Sequence, residues 1–416
     1  MFTALKGKIL YKIWLAINEM PYWFVAQWQL YRLKVILKIA SDFVGMYQDQ
    51  FGKSGLGKIK PGNLQDLERF PIITKSMIKS YPPESIILKS SDNLFYERAN
   101  ICTVCRSNGE PFRFWIDKNF CRMTGALLGK IGFRDIDLNF ERALFVSREA
   151  QPLFLSKNLL VLPSADLKSN AADFVKSVVD FNPRFVFFSD RGAMAMFEAA
   201  FAEYRLSERL NLKAVFVFWP NLSVEERLKS KAVFGCDVFL SLYHVFHEIP
   251  LLGWECEAHN GFHLNRESYI LEIVDEKGLN LPPGKEGRIA VTNFDNEIMP
   301  FVRYHTGDRG YFLEKPCSCG RRSPIFKVTS KYPKDLLLGG KKFDYNEIET
   351  VFRYYYSIVD RFRVEPIDND TVKIHITPLK NWSEDFNAYL NESLTKLFGD
   401  SVKIEFIIDA QTQQYN

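Results

Sequence analysis

Through the middle of the chain, short continuous apolar runs alternate with amphipathic stretches. RALFVS (from Arg142), NLLVLPS (from Asn158), PRFVFFSD (from Pro183) and LKAVFVFWP (from Leu212) are dense in Val, Phe and Leu. Runs without polar alternation are what strands need when both sheet faces are covered. Between them AADFVKSVVDF and GAMAMFEAAFAEYRL repeat apolar residues at helical spacing. The alternation predicts an α/β fold in which helices cover a mostly parallel sheet. From about Gly261 the pattern changes. HLNRESYILEIVDEKG and GRIAVTNF alternate polar and apolar residues around the turn-rich LNLPPGKEG, which predicts a small antiparallel or barrel-like subdomain. After Arg321 the chain reads strand, helix, strand, helix, strand, in KDLLLGG, NEIETVFRYYYSIV, TVKIHITP, EDFNAYLNESLTKLF and VKIEFII. That predicts a small α+β unit at the C-terminal end, with the boundary near Thr329 to Lys334. The two domains expected are residues 1–329 and 330–416.

Composition narrows the class without naming it. At 416 residues the chain exceeds one typical core. A hydrophobic fraction of 47% and a charged fraction of 25% are those of a soluble globular protein. A net charge of +4 is too small and too dispersed to indicate nucleic-acid binding. The start, MFTALKGKILYKIWLAINEMPYWF, is interrupted by Lys12 and Glu19 and has no small-residue cleavage site, so no export signal is expected. No stretch is long enough to span a bilayer. YWFVAQWQLYRLKVILKI, from Tyr22, is aromatic and basic; a membrane-surface helix fits it, and a helix packed on its own domain fits it more simply. Seven unevenly spaced cysteines in a chain of this length argue for a reducing cytoplasm rather than a disulfide scaffold.

Four segments carry candidate chemistry. MPFVRYHTGDRGYF, Met299 to Phe312, places Thr306-Gly307-Asp308 after an Arg303-Tyr304 pair and before a further strand. Alone, T-G-D is a tight turn with an acceptor carboxylate. VCRSNGEPFRFW, from Val104, is a loop of small and polar residues such as backbone needs to wrap a phosphate, with Arg106 where glycine would serve best. LYHVFHEIPLLGWECE runs from Leu242 to Glu257, and SKYPKDLLLGGKKFDYNEIE from Ser330 to Glu349. In this order and setting the four segments resemble those of the adenylate-forming (AMP-binding) enzymes, nearest the phenylacetate–CoA ligase-like and capsule-biosynthesis branch, over most of the chain.

The resemblance implies roles, residue by residue. Asp308 would hold both ribose hydroxyls of ATP or AMP, with Arg303 beside it. Ser107, Asn108 and Gly109 would lie against the phosphates, although Cys105, Arg106 and Asn108 depart from the family's T-S-G-S-T-G-E-P. Glu248 would reach magnesium. Tyr243 or His244 would stack on adenine, and Val245 stands where glycine is usual. Ser330-Lys331 would form the hinge to a C-terminal lid domain. The implied reaction joins a small-molecule carboxylic acid, aryl or acyl, to AMP and passes it to coenzyme A or another acceptor. Charge accumulates on phosphorus in such a step, so it depends on cations aimed at the phosphate oxygens. The family brings a lysine from a loop near its C-terminus. Here no basic residue follows Lys403; Arg106 is the expected replacement, with Lys331, Lys341 and Lys342 at the lid entry as further candidates. The alternative reading is a catalytically impaired homologue that binds nucleotide or acyl ligand.

A separate constellation is legible from donor chemistry. Cys256 and His263, in ECEAHNGFH, are answered far downstream by Cys317 and Cys319, in CSCG. Three thiolates and an imidazole suit tetrahedral zinc, and four protein ligands leave no open position, so the zinc expected is structural. His259 is the competing imidazole; His263 is preferred because it begins a strand. A hydrolase reading has little to stand on, since no G-x-S-x-G occurs and Cys105 has no neighbouring histidine.

Overall fold

The computed structural model describes residues 20–56, 60–89, 99–105, 111–117, 142–147, 158–189, 191–218, 222–236, 238–245, 249–330, 336–343, 348, 351–352, 359–378 and 383–408. Its first helix, Tyr22–Phe43, buries Val25, Gln29, Leu33, Ile36, Leu37 and Ala40. That spacing puts one stripe inward. Polar groups fix the docking as well: the Gln29 amide donates to the carbonyls of Arg266 and Tyr269 at 2.9 and 3.1 Å, and Arg32 pairs with Asp295 at 2.8 Å. The aromatic helix is therefore packed on its own domain. Among the described residues no helix is long and apolar enough to cross a membrane.

Strands β1 (Ala99–Cys105) and β2 (Pro111–Asp117) form an antiparallel hairpin with Cys105 opposite Pro111, so residues 106–110 connect them. Strands β3 (Ala143–Ser147), β4 (Leu159–Pro163), β5 (Phe185–Phe188) and β6 (Ala214–Val217) run parallel, as their unbroken apolar sequences predict. Alternate side chains of β5 and β6 enter different cores. Val186, Phe188, Val215 and Val217 pack with Phe174, Phe197, Phe201 and Phe234 of the helices Ala171–Phe181, Arg191–Glu203 and Val224–Phe234. Phe185, Phe187, Ala214 and Phe216 point the other way, into a core shared with Leu240, Leu251 and Trp254. Period-two alternation between two apolar environments makes the runs continuous in sequence.

Strand β7 (Val238–Val245) is where the sheet changes character. Its first half, Val238–Ser241, pairs in parallel with β6. Its second half pairs antiparallel with β8 (Ile249–Glu255). Antiparallel strands β9 (Phe262–Leu264), β10 (Tyr269–Val274), β11 (Gly287–Asn293), β12 (Tyr304–Phe312) and β13 (Ile325–Ser330) complete an 11-stranded sheet of order β10-β11-β12-β13-β9-β8-β7-β6-β5-β3-β4. In a flat sheet, four strand spacings between β12 and β7 would be roughly 19 Å. Yet side chains of the two strands touch, as shown below, so the antiparallel half curls toward itself around Phe262 and Phe326. The polar alternation predicts a small antiparallel or barrel-like subdomain; these strands are antiparallel, and they continue the parallel strands in one sheet.

The C-terminal residues have a core of their own, built from Leu338, Phe343, Ile374, Leu390, Leu394 and Phe398 among others. A hairpin of β14 (Leu336–Leu338) and β15 (Lys341–Phe343) precedes β16 (Val359–Pro366), β17 (Thr371–Pro378) and β18 (Lys403–Ile408). Helix Glu384–Phe398 carries the chain from β17 to the parallel β18. Strand β16 is not expected from the sequence, because VDRFRVEP is half polar, with charged residues at four of its eight positions.

Candidate nucleotide pocket and metal centre

The T-G-D segment is a bulge inside a strand, where the sequence predicts a turn between strands. Ala290 pairs with His305 and Arg288 with Arg309, so Ile289 alone faces Thr306, Gly307 and Asp308. A β-bulge accommodates the surplus and re-aims the side chain that follows it. Gly307 takes φ +92°, a conformation glycine adopts without penalty. Thr306 staples the bulge: its hydroxyl donates to the Ile289 carbonyl at 3.3 Å and accepts the Asp308 N–H at 3.1 Å. Asp308 is thereby turned inward and is only 5% exposed.

Its partner comes from the strand at which the sheet switches. The Tyr243 hydroxyl donates to the Asp308 carboxylate. The Tyr243 ring is fully buried, 5.6 Å between centroids from both Phe262 and Phe326. A carboxylate has lone pairs for several donors at once. Tyr243 lies in the carboxyl-terminal half of β7, beyond its parallel pairing with β6, and Asp308 lies against that half.

Two expectations are corrected. Arg303, expected at the nucleotide, is buried and committed elsewhere. Its guanidinium grips the Glu272 carboxylate at 3.0 and 2.9 Å and donates to the carbonyls of Glu68, Phe70 and Gly278. Burial pushes the Glu272 carboxyl above its ordinary value, and the two Arg303 bonds work against that. Arg303 holds a loop and a strand together. Tyr243, one of two rings expected to stack on adenine, is fully buried beside Phe262 and Phe326, and its hydroxyl reaches Asp308. His244 follows it on β7, and its side chain lies outside the described residues, as do Arg106, Ser107, Asn108, Gly109, Glu248 and Lys331.

The four residues chosen as metal ligands come together. One donor atom from each of Cys256, His263, Cys317 and Cys319 lies within 4.8 Å of all the others. Cys256 Sγ and Cys317 Sγ are 3.5 Å apart, and Cys319 Sγ is 3.3 Å from His263 Nε2. With zinc–sulfur bonds of about 2.3 Å and zinc–nitrogen bonds of about 2.0 Å, tetrahedral ligands lie roughly 3.5–3.8 Å apart. Two tight turns present the thiols, closed by His259 N–H to the Cys256 carbonyl and Gly320 N–H to the Cys317 carbonyl. His263 Nδ1 is 3.2 Å from the Ser323 carbonyl. A proton on Nδ1 leaves the Nε2 lone pair facing the thiols, the outer arrangement that fixes a ligating imidazole. Burial lowers the His263 pKa to about 4, against the pull of the Ser323 carbonyl, so the ring is neutral at physiological pH. Burial also pushes the Cys256 thiol well up. At Cys319 burial is outweighed by the Arg321 backbone N–H and guanidinium and the neighbouring thiols, which hold the thiol below its ordinary value. His259 stands apart from the group, 3.5 Å from Glu255.

Comparisons with known proteins bear on the fold and on sequence likeness. No family model matches the chain. Over 121 residues, 28% of the chain, it is 30% identical to a phenylacetate–coenzyme A ligase of Thermus thermophilus. Over 372 residues, 84% of the chain, it is 22% identical to the phenylacetate–coenzyme A ligase of Pseudomonas putida. The matched segment spans 26% of the first relative and 81% of the second. Among solved structures, 2-hydroxyisobutyryl-CoA ligase in the postadenylation state with an acyl-adenylate superposes with a TM-score of 0.68. That match has 15% identity and covers 96% of this chain and 88% of that one. McyG A-PCP with phenylalanyl-adenylate gives a TM-score of 0.51 at 14% identity, over 82% of this chain and 59% of that one. The chain thus has the fold of the adenylate-forming superfamily, and its sequence likeness within that superfamily is to phenylacetate–CoA ligases.

Proposed function

We propose that the protein is an adenylate-forming acid–CoA ligase, which activates a small aryl or acyl carboxylic acid with ATP and transfers the acyl group to coenzyme A. The observation that carries this reading is the buried Asp308, set by a bulge and held by Tyr243 beside the strand where parallel and antiparallel pairing meet. Two adjacent acceptor oxygens match two adjacent ribose hydroxyls. In this reading the phosphates of a nucleotide held there would be met by residues 106–110, the segment that resembles the family's phosphate loop. In the first half-reaction a carboxylate oxygen attacks the α-phosphorus as the bond to pyrophosphate breaks, giving acyl-AMP. In the second, the coenzyme A thiol loses its proton and its sulfur attacks the acyl carbon as AMP leaves.

Each step moves negative charge across phosphate oxygens, so cations placed in advance lower its barrier. In this reading Arg106 supplies one from within the loop, and its planar guanidinium suits two phosphate oxygens at once. Ser107, Asn108 and Gly109 complete the loop, Lys331 lies at the hinge, Glu248 reaches the magnesium that accompanies ATP, and His244 is the ring left to meet adenine. Zinc held by Cys256, His263, Cys317 and Cys319 would tie the β8–β9 and β12–β13 connections together. It would be structural, since the four side chains fill a tetrahedral shell.

Pyrophosphate exchange tests the reading. Incubated with ATP, magnesium and a panel of aryl and short acyl acids, the protein should move labelled pyrophosphate into ATP with at least one acid. A folded protein that fails with every acid sinks it. A second reading, nucleotide binding without turnover, is favoured by Arg106 and Asn108, which fill a loop that family members build from smaller residues. Calorimetric binding of AMP with no exchange would select it.

A further inference from the structure

We propose that a cleft between helix Val224–Phe234 and the antiparallel half of the sheet binds a small phosphate monoester with an apolar body, apart from Asp308. The cleft has a volume of about 400 Å³ and is lined by neither Asp308 nor Tyr243. Small-molecule sites run to roughly 300–1,000 Å³ and combine apolar walls with a few charged groups. This cleft has both.

One wall is a single helix face. Val224, Arg227, Leu228 and Lys231 follow the i, i+3, i+4, i+7 spacing and all line the cleft. A Ser223–Glu226 capping box and a left-handed Gly235 fix the two ends of that helix. Across from it stand Lys327 and Val328 of β13 and Phe262 of β9.

The charge in the cleft is unbalanced. Arg227 donates to Glu255 at 2.6 Å, and the second oxygen of Glu255 receives the Ser241 N–H at 2.8 Å. Arg227 and Glu255 are both buried, and they neutralise and immobilise each other at the floor. Lys231 and Lys327 have no carboxylate partner among the described residues. Among the described lining residues three cations stand against one carboxylate, an excess of two positive charges. Two lysines on opposite walls of a part-buried cleft focus a field that one dianionic group would satisfy.

The apolar part of the cleft asks for more than a bare anion. Phe262, Val328 and Leu222 form buried wall, while Val224 and Leu228 stand 73% and 64% exposed at the lip. Inorganic phosphate would engage the lysines and leave this surface wet. A phosphate monoester with an aryl or short alkyl body would bind both parts and cover the two exposed side chains.

Phenyl phosphate and inorganic phosphate are the probes, titrated into the full chain by calorimetry and thermal melting. Phenyl phosphate should bind more tightly than inorganic phosphate and raise the melting temperature. In the double variant Lys231→Glu/Lys327→Glu its affinity should fall at least tenfold, the scale of one lost charge-assisted contact. Lys231→Gln/Lys327→Gln, which removes charge without reversing it, should fall less and melts as the parent does. Asp308→Asn should bind phenyl phosphate as the parent does. The proposal is overturned if the parent binds neither probe. It is equally overturned if the lysine variants bind phenyl phosphate unchanged, or if Asp308→Asn abolishes that binding and so moves it to the nucleotide pocket.

Discussion

Tyr243 and Asp308 share a buried hydrogen bond although three strands separate theirs in the sheet. The bond exists because the antiparallel half curls, and it ties the strand where parallel pairing gives way to antiparallel to the bulge in β12. Tyr243→Phe keeps the ring among Phe262 and Phe326 and removes only the donor. A buried carboxylate deprived of a partner costs about 1–3 kcal/mol, so the variant should melt lower by an amount in that range. Under the proposed function it should also raise the KM for ATP while leaving the KM for the acid in place. A variant that matches the parent in both melting and nucleotide KM would show that the bond positions nothing.

The cysteine–histidine group predicts a stoichiometric metal. Purified protein should contain one zinc per chain, and Cys317→Ser should lose it. Chelation should lower the melting temperature without abolishing AMP binding, because the ligands hold connections rather than the nucleotide. Protein free of metal with an unchanged melting temperature would refute a structural zinc.

How much of this was legible in advance follows from the range of each interaction. The parallel strands were legible because burial on both faces leaves an unbroken apolar run, as in PRFVFFSD. The clustering of the four Cys and His donors was legible from donor chemistry alone, although Cys256 and Cys317 lie far apart in sequence. Strand β16 was not, since at most half of VDRFRVEP faces the C-terminal core. Nor was the bulge. Thr306-Gly307-Asp308 is as good a turn as a bulge until the register of β11 is known, with Ala290 opposite His305. Arg303 misled for a similar reason. An arginine five residues before an aspartate looks available to the same ligand, and only the fold shows Glu272 and three carbonyls already around it.

That arrangement makes Arg303 a sharp test of packing against catalysis. Arg303→Met leaves Glu272 buried without its cation, which should cost about 3–5 kcal/mol in denaturant unfolding. The double variant Arg303→Met/Glu272→Met should recover much of that loss, because neither charge is then stranded. Loss of AMP affinity in Arg303→Met without loss of stability would return Arg303 to the nucleotide.

Gly310 lies where β12 and β13 come too close for a side chain. A Cβ there would sit 2.1 Å from the Lys327 carbonyl oxygen, a backbone atom that cannot swing aside. Gly310→Ala should therefore force the two strands apart and destabilise the fold by more than about 3 kcal/mol. Gly235→Ala is the control: a Cβ there meets nothing within 4 Å, and its φ of +64° limits the cost to about 1 kcal/mol of backbone strain. Equal losses for the two would mean that the close approach does not exist.

His305 gives the fold a defined response to acid. Burial, with Arg288 and Arg309 nearby, lowers its pKa to about 4. An unfolded imidazole keeps its proton up to about pH 6.5. Between those values the unfolded chain binds more protons than the folded one, so stability falls as pH falls. The contribution is complete above about pH 6.5 and lost by about pH 4, and it amounts to at most about 3 kcal/mol. His305→Gln keeps a polar side chain of similar size that does not titrate. Unfolding free energies measured across that interval, at fixed metal content so that His263 contributes equally to both, should decline less steeply for the variant. Parallel curves for parent and variant would mean that His305 titrates alike in the folded and unfolded chains.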